Sequence, residues 1–246
     1  MLWWTICTAE LRRGWLIRKR YPLDMLFSMA GGIVFLVTVA AGAMMVTGGR
    51  IALDPGWAPR VWGLVLAGVA GAALTGGIGY INSHTYSGTL EQVALSPVSL
   101  PTLVVWRQTM GFVTNAPFLL AYGAGLLWLF PGFRAPGALA GSVVLTYFGM
   151  MGVGLVMAGL AVLFQQVQSV LGFVTMMFYP IPLLVSAEAL GADFWSLLPY
   201  GLGLQVAVGA EVGLGLVSPF VWMVVGYGFL RWADVKARQK GVLGHI

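Results

Sequence analysis

Long apolar runs broken by short polar joints organise this chain, in place of the alternation that marks strands or the narrow stripe of a soluble helix. About 20 apolar residues are needed for a helix to cross roughly 30 Å of hydrocarbon. Six runs meet that length. The first is 25–46, preceded by Tyr21-Pro22-Leu23-Asp24, where Pro22 breaks whatever came before. The second is 61–81, and the third, 103–130, carries Asn115 and Pro117 and is predicted to kink there. The others are 138–164, 170–187 and 212–232.

The joints are as informative as the runs. In residues 1–21, Trp4, Cys7, Leu11 and Trp15 recur on one helical face, while Arg12, Arg13, Lys19 and Arg20 fall largely elsewhere. That pattern predicts an interfacial helix, with indoles at headgroup depth and arginines towards anionic membrane lipid. The opening apolar run, 1–7, is shorter than a signal-peptide core, and its charges follow it instead of preceding it. Between the fifth and sixth runs, 194–210 is apolar enough to cross but holds Pro199, Gly201, Gly203 and Gln205. We read 188–211 as a re-entrant hairpin in the outer leaflet, because a seventh crossing would carry the basic tail to the opposite side.

Composition strengthens the membrane reading. The chain of 246 residues is 59% hydrophobic and 9% charged, against about 25% charged in soluble domains. Its 35 glycines suit close helix packing in lipid, where no apolar force draws helices together. Of its 13 Lys and Arg, Arg12, Arg13, Arg18, Lys19, Arg20, Arg107, Arg231, Lys236, Arg238 and Lys240 fall on one side of a six-span arrangement. Arg50, Arg60 and Arg134 fall on the other. The positive-inside rule makes the richer side cytoplasmic, with both termini there. No basic patch with interleaved aromatics points to nucleic acid. Cys7 is the single cysteine, so an internal disulfide and a thiolate-rich metal site are excluded. His84 and His245 are too far apart in sequence to suggest a zinc site.

The joint between the second and third runs is the most structured. Thr89 is a good N-cap, Gln92 three residues on completes a capping box, and Glu91 sits where the helix dipole favours a carboxylate. Pro97 ends the helix after two turns, and Ser99 caps the next, with Pro101 tolerated in its first turn. A capped helix over 88–97 is therefore expected at the cytoplasmic mouth, with an apolar face of Leu90, Val93, Ala94 and Leu95.

The run Gly88-Thr89-Leu90-Glu91-Gln92-x-x-Leu95-Ser96-Pro97-Val98-Ser99 resembles the coupling-helix segment of ABC-2 type transporter permeases, the transmembrane subunits of ATP-driven exporters. Arg18-Lys19-Arg20-Tyr21-Pro22 resembles the end of that family's interfacial helix. Tyr179-Pro180 with Leu198-Pro199-Tyr200 resembles its last outer-leaflet segment, and 237–244 its basic tail. The resemblance implies an all-α membrane protein: six transmembrane helices, an N-terminal interfacial helix, a cytoplasmic coupling helix and a re-entrant hairpin before the last span. It implies a single transmembrane domain over 1–246 in a bacterial or archaeal cytoplasmic membrane. Implied partners are a separate ABC ATPase carrying ATP and magnesium, and a second permease chain, identical or similar. Gly88, Thr89, Leu90, Glu91, Gln92, Leu95, Ser96 and Pro97 would couple to that ATPase. Consistent with this, no Gly-x-x-x-x-Gly-Lys-Ser/Thr loop occurs to cradle a nucleotide.

The cargo implied is amphiphilic or hydrophobic, a drug or lipid. Phe173, Met176, Met177, Phe178 and Tyr179 form a bulky, adaptable surface suited to such a pathway, though ordinary packing uses the same residues. Glu188, Asp193 and Glu211 are candidate outer-face groups, and wet interfacial caps are the plainer reading. Gln165, Gln166 and Gln168 offer either a second ATPase touchpoint or a polar turn. Gly68, Ala72 and Gly76, like Gly154 and Ala158, predict close helix contacts within the chain or across a dimer. Two alternatives remain open at this stage. A haem-handling permease of cytochrome c maturation has a similar Gly-x-Leu-Glu-Gln segment followed by Leu-Pro. An intramembrane enzyme or a non-transporting scaffold would come from another class, although the spans lack clustered ionisable groups for the former.

Overall fold

The computed structural model describes residues 2–23, 27, 30–31, 34, 57–129, 136–164, 168–178, 197–208 and 213–239. These residues are helical apart from short turns, and no strand occurs among them. The expected first crossing, 25–46, lies outside them except for Phe27, Ala30, Gly31 and Val34.

α1 (Leu2–Arg20) is the expected N-terminal helix. α2 (Trp57–Tyr86) has 30 residues, about 45 Å at 1.5 Å per residue. It overruns the expected 61–81 by about a turn at each end, because a helix satisfies its own backbone and need not stop where the hydrocarbon does. α3 (Leu90–Ala94) is the short helix of the joint. α4 (Leu100–Leu129) continues as helix through Asn115 and Pro117, the position of the predicted kink. α5 (Pro136–Phe164), α6 (Gln168–Phe178), α7 (Pro199–Val208) and α8 (Ser218–Gln239) follow, with a 3₁₀ turn at Gly213–Val217 before the last. Among the described residues three stretches are long and apolar enough to cross a membrane: Trp62–Tyr86, Gly137–Phe164 and Gly215–Gln239.

α5 is the hub, touching α2, α7 and α8. Near the start of α2 and α5, Trp62 Nε1–H donates to Ser142 Oγ at 2.9 Å. Near their ends, a Cβ on Gly77 would lie 3.2 Å from Ala158 Cβ. The two helices are therefore parallel. α8 runs the same way. A Cβ on Gly152 would run into the backbone of Trp222, and one on Gly159 would lie 2.8 Å from the Phe229 ring. Parallel neighbours require the chain to return across the bundle between them. α4 makes the first return, folding back on α2 with Gln108 against Gly76 and Gly77.

α7 starts halfway along α5, with Pro199 beside Gly149, and runs back so that Gly203 meets Ser142 and Thr146. The Tyr200 hydroxyl donates to the Gly63 carbonyl at 2.9 Å. This segment is thus held among α2 and α5, with Tyr200, Leu202 and Leu204 buried. Of the three long apolar stretches the one in α8 is the most exposed, 28% buried against 72% for the one in α2.

Close approaches occur where glycines remove side chains, at the expected Gly154 and Ala158 and at further places that the spacing did not single out. Gly154 meets Ala73 and Leu74, and Gly226 meets the Gly152 carbonyl. On α2, however, Gly68 and Ala72 are exposed, and a Cβ on Gly68 would find nothing within 4 Å. Only Gly76 of that predicted stripe packs, against Gln108. The helix rotation is set by Trp62, Leu66, Ala70, Leu74 and Ile78, all buried, which turn the small stripe outward.

Candidate functional site

The end of α2 and the start of α3 share one hydrogen-bonded turn. Gly88 has φ +64°. Its N–H donates to the Thr85 carbonyl at 3.0 Å, and the Thr89 N–H returns to the His84 carbonyl at 2.9 Å. This pair is a Schellman closure, which needs a left-handed residue at the glycine position. Glycine supplies it without a Cβ clash. Thr89 then opens α3, its carbonyl accepting from the Val93 N–H at 3.0 Å.

The expected capping box takes a different form. The Thr89 hydroxyl turns back to α2, 2.8 Å from His84 Nδ1 and 2.8 Å from Ser87 Oγ, and no described contact joins it to Gln92. The Ser87 hydroxyl in turn donates to the Ser83 carbonyl at 2.8 Å. Thr89 thus locks α3 to the end of α2.

α3 is also shorter than expected, 5 residues in place of two full turns. Pro97 disfavours helical backbone at Ser96. Ser96 instead closes the turn, its N–H reaching the Val93 carbonyl at 3.1 Å and its hydroxyl the Val98 carbonyl at 2.7 Å. Ser99 opens α4 as predicted. Its carbonyl accepts from the Leu103 N–H at 3.1 Å, and its hydroxyl lies 2.8 Å from Thr102 Oγ1. Thr102 is also 3.1 Å from the Tyr227 hydroxyl, which pins the start of α4 to α8.

Burial divides the predicted apolar face. Leu90 is buried at 3% exposure and Val93 packs on the core. Leu95 points out at 80%, near in sequence to exposed Gln92 and Pro97, and Tyr86 is 87% exposed. Burying a leucine-sized side chain contributes about 1.5–3 kcal/mol, so Leu90 anchors the segment while Leu95 presents it. Glu91 lies in the first turn of α3, and its side chain lies outside the described residues.

One neighbouring cluster was not foreseen. Tyr80 and His84 rings meet edge-on at 4.6 Å, and the Arg107 guanidinium carbon stands 4.8 Å from the Tyr80 centroid. Arg107 Nη1 is buried with no hydrogen-bond acceptor among the described residues. Glu10 and Arg13 of α1 are close enough to act electrostatically on both Arg107 and His84. The i, i+4 spacing of Tyr80 and His84 was visible in the sequence. The approach of α4 and α1 was not.

The proposed pathway residues lie on α6. Leu171 is buried, while Phe173, Met176 and Met177 are exposed on the opposite side. The Phe178 side chain and Tyr179 lie outside the described residues, as do Glu188, Asp193 and Glu211. Gln165 and Gln166 and the side chain of Gln168 lie outside them too. Among the described residues no three of His, Cys, Asp and Glu gather as metal ligands. Compared with family models, curated proteins and solved structures, the chain matches none.

Proposed function

We propose that this chain is the transmembrane permease subunit of an ATP-driven exporter of the ABC-2 type, working with a separate ATPase that binds ATP and magnesium. The observation that carries this reading is the segment from Gly88 to Pro97. It is locked to α2 through Thr89 and His84, anchored by Leu90, and continuous with α4 across a Ser99 cap. A displacement applied to α3 therefore passes to two long helices as a rigid-body motion. Leu95 and Tyr86 stay exposed where a membrane does not cover them, which suits docking to a protein.

The side of the membrane follows from charge. Gly77 with Ala158, and Gly159 with Phe229 and Ala233, put the ends of α2, α5 and α8 together. The α8 end carries Lys236 and Arg238, and Arg13 of α1 lies near His84. Arg107, Lys236 and Arg238, with Arg13 acting electrostatically on His84, stand at the end that bears α3, in keeping with a cytoplasmic mouth. The parallel course of α2, α5 and α8 supports spans two, four and six of a six-span arrangement. The mid-depth start of α7 supports the re-entrant hairpin.

In this reading two permease chains form the pathway for an amphiphilic or hydrophobic cargo, and the exposed Phe173, Met176 and Met177 supply an adaptable wall. The membrane is the bacterial or archaeal cytoplasmic membrane, with both termini cytoplasmic.

Co-expression with a candidate ATPase tests the reading. Leu95→Asp leaves insertion intact, because Leu95 makes no buried contact, and abolishes co-purification of the ATPase. Glu91→Ala lowers transport at normal expression. Undiminished co-purification and transport in both variants would refute the coupling role of this segment.

A further inference from the structure

A threonine inside a helix commonly satisfies its hydroxyl on a carbonyl of the turn before. Thr75, Thr109 and Thr114 do so, on Gly71, Val105 and Met110, each at 2.9 Å. Thr102 reaches elsewhere. It stands in the first turn of α4, where the carbonyl four residues back is that of Val98, and the Ser96 hydroxyl already donates there at 2.7 Å. Released from its own helix, the buried Thr102 hydroxyl bridges outward. It lies 2.8 Å from Ser99 Oγ on one side and 3.1 Å from the Tyr227 hydroxyl on the other. With a single proton, Thr102 donates to one neighbour and accepts from the other. Three oxygens thus run in series from the turn after α3 to the side of α8.

The series ends where α8 is firmly seated. Tyr227 packs against the core and follows Gly226, where a Cβ would run into the Gly152 carbonyl of α5. α4 has another hydroxyl tie more than a turn beyond Thr102. There the Tyr147 hydroxyl of α5 donates to the Gln108 carbonyl at 2.9 Å, and α8 takes no part. A packed ring passes a push from helix to helix but lets go under a pull. A hydrogen bond resists both.

We propose that Thr102 and Tyr227 are positioning residues that carry a displacement of the segment 88–99 directly into α8, so that three long helices are driven and not two. This rests on the exporter reading, which supplies the displacement, and adds to it the route by which α8 follows α4.

The full-length chain is purified with the ATPase that accompanies it and placed in nanodiscs of phosphatidylcholine and phosphatidylglycerol. Hydrogen exchange is then compared with and without trapping by ATP, magnesium and vanadate. In the wild type, trapping is expected to change exchange at both 99–106 and 227–239. Tyr227→Phe and Thr102→Val each remove one hydroxyl and keep the shape. Without nucleotide, each raises exchange beside the lost bond by about threefold, the size of one hydrogen bond inside a membrane. The double variant adds nothing further, since both residues share that bond. With nucleotide, the response at 99–106 persists in these variants and the response at 227–239 is lost. Thr102→Ser keeps a hydroxyl and retains both responses. So does Tyr147→Phe, the control for losing a buried phenol.

A response at 227–239 that survives Tyr227→Phe would overturn the inference and leave the exporter reading standing, with α8 then driven through α5. Its loss in Tyr147→Phe as well would mean general loosening and would overturn the inference in the same way, as would a wild-type response confined to 99–106. Should no ATPase accompany the wild type, the exporter reading itself falls, and this route falls with it for want of a motor.

Discussion

Substitution of Gly88 separates backbone conformation from contact more cleanly than any other change in this chain. Its φ of +64° lies in the left-handed region, and a Cβ there would meet nothing within 4 Å. Crowding is absent, so the whole effect is conformational. An L-residue with a Cβ in that region loses about 1–2 kcal/mol, asparagine tolerates it better, and a β-branched residue tolerates it least. The expected order of damage is therefore Asn, then Ala, then Val, an order that side-chain size alone does not produce. The amides to watch are Gly88 and Thr89, bonded to Thr85 and His84. Hydrogen exchange at both should accelerate by about 5- to 30-fold in Gly88→Ala if the loss appears as local opening. Under the proposed function, the activity of a co-expressed ATPase should fall in the same order, because α3 would leave α2 at a changed angle. Equal effects of Asn and Val would refute the reasoning and would mean that the turn tolerates other backbone shapes.

Other predictions concern the bundle. Gly152→Ala forces α5 and α8 apart where their backbones touch, which should cost about 1–3 kcal/mol; Gly68→Ala, with open space around it, should be near neutral in the same detergent unfolding assay. Leu90→Ala should release α3, at about 2–5 kcal/mol if the site cannot collapse, and limited proteolysis at 87–99 would report it. The Asp234 carboxylate is buried and held by Arg238 at 2.9 and 3.2 Å. Arg238→Ala should therefore destabilise more than the double variant Asp234→Asn, Arg238→Ala, which leaves no charge stranded.

Composition and run length made the helical membrane architecture legible, because 9% charge leaves few ways to solvate a surface. The existence of the short helix after α2 was equally legible from Thr89, Pro97 and Ser99. Its length was not. The proline restricts its predecessor, so the helix ended at Ala94, ahead of Leu95 and Ser96. Gly88 was visible as a motif member, and a glycine just past a long apolar helix signals a left-handed closure.

Helix pairing was the least legible feature. Glycine spacing suggested Gly68, Ala72 and Gly76 on α2 and Gly154 and Ala158 on α5; the α5 pair does meet α2, but of the α2 stripe only Gly76 packs, and other close approaches fell at Gly149, Gly152, Gly203 and Gly226. With 35 glycines in the chain, small-residue spacing alone does not say which face meets which helix. That choice is made by large side chains such as Trp62, Tyr147 and Tyr200, whose polar atoms reach Ser142 and the carbonyls of Gln108 and Gly63. Those partners lie far off in sequence. The junction of Tyr80, His84 and Arg107 escaped for the same reason.

The most direct measurement places the exposed tip of the proposed coupling segment. In a Cys7→Ser background, a Leu95→Cys variant is treated in intact cells with a membrane-impermeant maleimide, then again after permeabilisation. We predict no labelling until the membrane is opened, followed by short-span cross-linking from this position to a subunit that an ATP photoaffinity analogue also labels. Labelling of Leu95→Cys in intact cells would put the segment beyond the reach of any ATPase and contradict the account.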